Sequence, residues 1–116
     1  MPNRKNTYEF GPFQFDLAER VLMRNGEGIS LTPKASEILV ILLSNAGQLV
    51  EKDELIREIW PDTFVEEANL TQNIFRLRKA LGDHRTKPNY IETVAKRGYR
   101  FVAPVRVTRV VEKPLT

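Results

Sequence analysis

One stretch, Val65 to Leu81, constrains the fold of this chain more than any other; it reads VEEANLTQNIFRLRKAL. On a helix, Leu70, Ile74, Leu77 and Leu81 recur at steps of four, three and four, the spacing of a buried stripe. The opposite face carries Asn69, Gln72, Phe75, Arg76 and Lys79, with Thr71, Asn73 and Arg78 on its flanks. A solvated helix usually mixes Glu with Lys at i,i+4, yet Ala68 to Leu81 holds no acid. What remains is amides, cations and one aromatic ring. Amides and guanidinium groups read base edges, and an apolar ring can touch a thymine methyl.

Length and charge sharpen this reading. The 116 residues suffice for one domain with a single core, and 41% apolar with 28% charged residues fits a soluble globular chain. Net charge is +3, but residues 1–64 hold seven Lys/Arg and ten Asp/Glu (−3), whereas residues 65–116 hold eleven and five (+6). Positive charge therefore gathers on the half that holds the candidate helix. There is no cysteine, which excludes disulfides and thiolate metal sites, and a single histidine, His84, read as a loop residue. With no histidine relay, phosphate loop or nucleophile to build on, the chain is expected to be no enzyme and to need no metal or cofactor. The longest apolar run, Ile38 to Leu43, falls far short of the ~18 residues of a membrane span. MPNRKNTYEF has no apolar core of a signal peptide, so a cytoplasmic location is expected.

Taken in order, residues 1–7 read as a disordered start and residues 8–105 as the domain. Tyr8 to Leu31 suggests short strands of a small antiparallel sheet, with Tyr8, Phe10, Phe13 and Phe15 as core and Asn25-Gly26 as a two-residue hairpin turn. Thr32-Pro33 opens a helix, with Thr as N-cap, Pro at the first position and Glu37 expected in the first turn. Its broad apolar face, from Ala35 to Leu43, marks it as the central core helix, ended by Asn45-Ala46-Gly47. After an extended piece at Leu49-Val50, a second helix is expected over Lys52 to Trp60, stopped by Pro61. The start of the third helix is open between Val65 and Asn69, where Asn69 and Gln72 could form a capping box. Gly82-Asp83 ends it. Tyr90 to Val94 and Tyr99 to Val102 then read as a hairpin, with Lys96 and Arg97 at the tip of a tight turn. The tail VTRVVEKPLT, within residues 106–116, reads as a polar linker of a longer protein.

Three helices followed by a basic-tipped hairpin describe an α+β winged helix-turn-helix. Across FDLAERVLMRNGEGISLTPKASEILVILLSNAGQLV, Ile59-Trp60, NLTQNIFRLRK and IETVAKRGYRF, the sequence resembles the OmpR/PhoB-type winged-helix DNA-binding domain of bacterial transcription regulators. The resemblance implies an N-terminal four-stranded sheet, three helices and a C-terminal hairpin wing. It also implies sequence-specific binding of double-stranded DNA, helix 65–81 in the major groove and wing 94–99 at the minor groove. At matching positions Arg76 is expected to reach bases, and Trp60, Asn69, Asn73 and Thr93 to touch phosphates. Thr71, Gln72, Phe75, Arg78, Lys79, Lys96 and Arg97 complete the expected interface. Where the family wing usually has an arginine this chain has Ala95, followed by Lys96 and Arg97, a variant that resembles the CadC/ToxR-like branch. The minor-groove contact then falls to Lys96 or Arg97, and the residues leave that choice open. Pro61, Asp62, Thr63, Phe64 and Val65 match the loop through which some relatives contact RNA polymerase. Phosphorelay relatives carry a receiver domain ahead of this one. The start at Met1 suggests instead the receiver-less branch, whose membrane-anchored sensor would lie beyond residue 116.

Competing readings exist. Cations in the last turn of a helix also suit its dipole. Phe75 fits half-burial against the wing or a neighbouring protomer as well as base contact. Trp60 reads as core with an indole N–H left to reach a phosphate. A protein–protein interaction module is the alternative function, since fold alone does not fix function. It predicts an apolar or acidic outer face on helix three. With no apolar stripe left over, the domain is expected to be a monomer in solution and a tandem dimer on DNA.

Overall fold

A computed structural model describes residues 4–111. In chain order the elements are β1 (Arg4–Phe10), β2 (Phe13–Asp16), β3 (Val21–Arg24), β4 (Glu27–Ile29), α1 (Pro33–Ser44) and β5 (Leu49–Glu51). They continue with α2 (Lys52–Ile59), α3 (Glu67–Leu81), β6 (Ile91–Val94), β7 (Gly98–Phe101) and β8 (Arg106–Val111). They divide into two compact units, Leu31–Pro104 and the segments on either side of it.

The flanking unit is one antiparallel sheet in the order β4-β3-β2-β1-β8. The register puts Phe10 opposite Phe13 and Phe15 opposite Leu22, all four buried, so one face is apolar. The Asn25-Gly26 turn forms as expected, with φ of 51° and 86°, the two positive angles of a type I′ hairpin. Two expectations are corrected here. Residues 4–7 belong to β1 instead of a disordered start, and residues 106–111 form β8 instead of a linker, so the sheet has five strands where four were expected. The cause is readable: β-branched residues recur through VRVTRVV, and β1 offers it an open edge. Residues 1–3 and 112–116, including Pro114, lie outside the described residues.

In the second unit α1 is the centre, packing against α2, α3 and β7. The Thr32 hydroxyl accepts the Ala35 N–H at 3.3 Å, and Pro33 fills a position where no N–H is needed. Glu37 lies past the first turn, where it pairs with Lys34 at 3.6 Å. Ile38, Leu39 and Leu42 are fully buried, each contributing about 1.5–3 kcal/mol of transfer free energy. Lys34 also ties α1 to the end of α2, its Nζ donating to the Ile59 carbonyl at 2.9 Å. The wing hairpin β6–β7 gains a third strand, β5, in the order β5-β7-β6. Among the described residues no helix is long and apolar enough to cross a membrane.

Candidate nucleic-acid interface

Helix α3 begins at Glu67, with Glu66 as an extended N-cap that makes no side-chain cap bond. The Asn69–Gln72 capping box does not form, because Asn69 is already inside the first turn and its Nδ2 donates to the Glu66 carbonyl at 3.4 Å. Lys52 at the start of α2 bonds Glu67 at 2.9 Å, and that partner raises the Lys52 pKa above its ordinary value. Gly82 closes α3 in the left-handed region at φ 65°, a conformation that favours glycine.

The stripe Leu70, Ile74, Leu77 and Leu81 is buried, which fixes the rotation of the helix. Asn69, Thr71, Gln72, Phe75, Arg76 and Lys79 are then all exposed on one outward surface. Phe75 is 65% exposed there, although it is a large apolar side chain. Among the described residues Arg76 and Lys79 enter no ion pair.

Two expected surface residues are corrected to the interior. Asn73 is buried: its Nδ2 donates to the Asn69 carbonyl at 2.8 Å, and its Oδ1 accepts a long bond from Thr32 at 3.5 Å. Arg78 is buried as well, its Nη2 donating to the Ile91 carbonyl at 2.9 Å and to the Thr93 hydroxyl at 2.7 Å. The physical reason is their place beside the stripe, where protein covers both flanks of the apolar face. Burial lowers the Arg78 pKa from its ordinary value, and the nearby Asp83 carboxylate opposes that shift.

Asp83, which the sequence reading passed over as a helix end, holds the entry to the wing. Its Oδ1 accepts the Asn89 N–H at 2.6 Å, and its Oδ2 accepts those of Tyr90 at 3.2 Å and Ile91 at 2.8 Å. These bonds reach six to eight residues ahead, beyond the local turn an Asp signals in a sequence. Gly98 was also missed. A Cβ there would run into the Val50 carbonyl oxygen, so the residue lets β5 lie close against β7.

At the wing tip, the Arg97 N–H bonds the Val94 carbonyl at 3.0 Å and Lys96 takes φ 65°. Arg97 pairs with Glu51 at 3.2 Å, while Lys96 is exposed and in no ion pair among the described residues. Thr93 is exposed near the start of the wing. Trp60 caps α2 half-buried, with the Lys34 ammonium 6.0 Å above its ring. From Pro61 to Phe64 every residue is exposed, and Phe64 is 91% exposed; Val65 is half-buried.

An acid-free helix face beside a basic-tipped hairpin is the arrangement of a winged helix. Residues 26–101 match the family described as "Transcriptional regulatory protein, C terminal". The chain belongs to that family, the OmpR/PhoB-type winged-helix DNA-binding domains of transcriptional regulators. It is 39% identical over 85 residues to the transcriptional activator CadC of Escherichia coli, covering 72% of this chain and 17% of CadC. It is 41% identical over 86 residues to the transcriptional regulator HilA of Salmonella typhimurium, covering 74% of this chain and 15% of HilA. The chain thus matches only a small part of the length of these relatives. Among solved structures, the DNA-binding domain of E. coli CadC superposes with a TM-score of 0.76 at 31% identity, covering 90% of this chain and 98% of that one. The Klebsiella pneumoniae RstA DNA-binding domain, solved in complex with the RstA box, gives 0.74 at 33% identity, covering 83% of this chain and 96% of that one.

Proposed function

We propose that this domain reads double-stranded DNA by laying the outward face of α3 in the major groove and the wing turn against the adjacent minor groove. The observation that carries the reading is the exposed surface of Asn69, Thr71, Gln72, Phe75, Arg76 and Lys79, free of acids and rich in base-reading groups. Arg76 can present two donors to a guanine edge, Gln72 can pair with adenine, and Phe75 offers an apolar contact. Trp60, Asn69, Thr93 and Lys79 hold the phosphate backbone. Lys96 is the minor-groove cation: it sits at φ 65° in the turn without an ion pair among the described residues, whereas Arg97 is engaged by Glu51. Asn73 and Arg78 support the interface from within. The loop from Pro61 to Val65, exposed from Pro61 to Phe64 with Phe64 at 91%, is the surface offered to RNA polymerase. The domain is no enzyme and works in the cytoplasm as one part of a longer regulator.

Labelled duplex titrated at several salt concentrations tests the reading. The +6 carried by residues 65–116 sets the scale: about six neutralised phosphates give a slope of log K against log salt near −5. Affinity unchanged from low to moderate salt overturns it. The free chain is a monomer that pairs on tandem half-sites roughly one helical turn apart. A stable dimer in sedimentation without DNA contradicts that assembly.

A further inference from the structure

Arg78 is costly where it sits. It is 9% exposed, and its Nε is buried without a hydrogen-bond partner. An apolar side chain of similar volume would fill the space without that penalty. What the guanidinium supplies is direction, because its bonds go to a different element, the wing strand β6. That strand is an edge of the three-stranded sheet, so the outward backbone groups of Ile91 have no strand to pair with. Residues from the end of α3 take both of them: Arg78 donates to the Ile91 carbonyl at 2.9 Å and the Asp83 carboxylate accepts the Ile91 N–H at 2.8 Å. Asp83 is itself fixed to the helix, its N–H bonded to the Arg78 carbonyl at 2.8 Å. The wing is therefore gripped by the helix that carries the reading face.

The second Arg78 bond determines what Thr93 can do. Thr93 Oγ1 accepts from Nη2 at 2.7 Å, so the single hydroxyl proton must point elsewhere. Thr93 is exposed, and among the described residues no acceptor takes that proton. A hydroxyl held in this way is a donor aimed outward, and a DNA phosphate oxygen is the acceptor the proposed docking brings to it.

We propose that Arg78 is a positioning residue: it acts on DNA through the wing, by setting β6 against α3 and turning the Thr93 hydroxyl toward the phosphate backbone. The proposal rests on the DNA reading above. Its test is a double-mutant cycle in the whole chain, using a duplex selected by the wild-type protein and a scrambled one. Thr93→Val should weaken both duplexes about tenfold, the loss expected for a hydrogen bond to a charged group, and Thr93→Ser should restore binding. Arg78→Met should lose at least as much, and adding Thr93→Val to it should lose nothing further. Leu22→Val, a core change in the other compact unit, controls for lost stability and should leave affinity intact. If Arg78→Met does not fold, Arg78→Lys takes its place in the cycle, since its shorter reach breaks the grip while keeping the charge. Additive losses, or Arg78 variants that melt earlier but bind normally, overturn the proposal while leaving the DNA reading standing. A wild-type chain that binds neither duplex overturns both.

Discussion

Arg76 and Arg78 stand two residues apart on one helix and live in opposite worlds. Arg76 is exposed with no ion pair among the described residues, whereas Arg78 is buried with two hydrogen bonds to another element. Their chemistry is identical, so the difference is purely angular. At about 100° per residue, Leu77 between them points into the core, and its two neighbours fall to either side of it. On one side Arg76 lies past the buried Asn73 and turns onto the exposed face. On the other, β6 lies alongside and supplies a carbonyl and a hydroxyl. The same residue type can serve as a probe for a ligand or as a strut for the surface that carries the probe. What decides between the two is which neighbour reaches that flank.

Substitution of each arginine sharpens the contrast, and the largest effects should appear here. Arg76→Ala should cost about 1–3 kcal/mol of binding on the preferred duplex and flatten preference at one base position. Its effect on stability should stay within about 0.5 kcal/mol, as for other surface changes. Arg78→Met should instead lower stability by about 2 kcal/mol, since it leaves the Ile91 carbonyl without its partner. Chemical denaturation and duplex titration of both variants check the pair. If Arg76→Ala weakens selected and scrambled duplexes alike, Arg76 holds phosphate and does not read a base.

How far the sequence carried this reading follows from the same geometry. The stripe of Leu70, Ile74, Leu77 and Leu81, the Thr32 cap, the Asn25-Gly26 turn and the Gly82 stop were legible because each is a local pattern. The outward face was legible as the complement of that stripe. Asn73 and Arg78 were not, since on a helical wheel they lie roughly 60–80° from the stripe's centre, where a polar residue is as easily inside as outside. Only the fold tells which partner arrives at those flanks. Arg78 meets residues thirteen and fifteen positions away, and Asn73 meets Thr32 at a separation of 41. No periodicity encodes such pairings. The pairing of the extended piece Leu49-Val50 with the wing, and β8 as a whole, were missed for a related reason: short β-prone pieces join a sheet only when an edge is available to them.

The smallest effect tests the least expected feature of the outward face. Phe75 leaves a large ring 65% exposed, within reach of Gln72 and Lys79 at neighbouring turns of α3. Apolar rings are normally withdrawn from such a surface, and hydrogen bonds to base edges give no use for one. A thymine 5-methyl group in the major groove does, because it is the one apolar feature that the base-pair edges present there. Removing that methyl from DNA is a single-group change: replace the thymines of the selected duplex by deoxyuridine, one at a time. Burying one methyl is worth about 0.8 kcal/mol, roughly a fourfold loss of affinity. Wild-type protein should show that loss at one position near the base read by Arg76, and Phe75→Ala should be indifferent to the same replacement. A neighbouring protomer is the rival occupant of the ring. In that case no single deoxyuridine matters, and Phe75→Ala weakens a duplex with two half-sites more than a duplex with one.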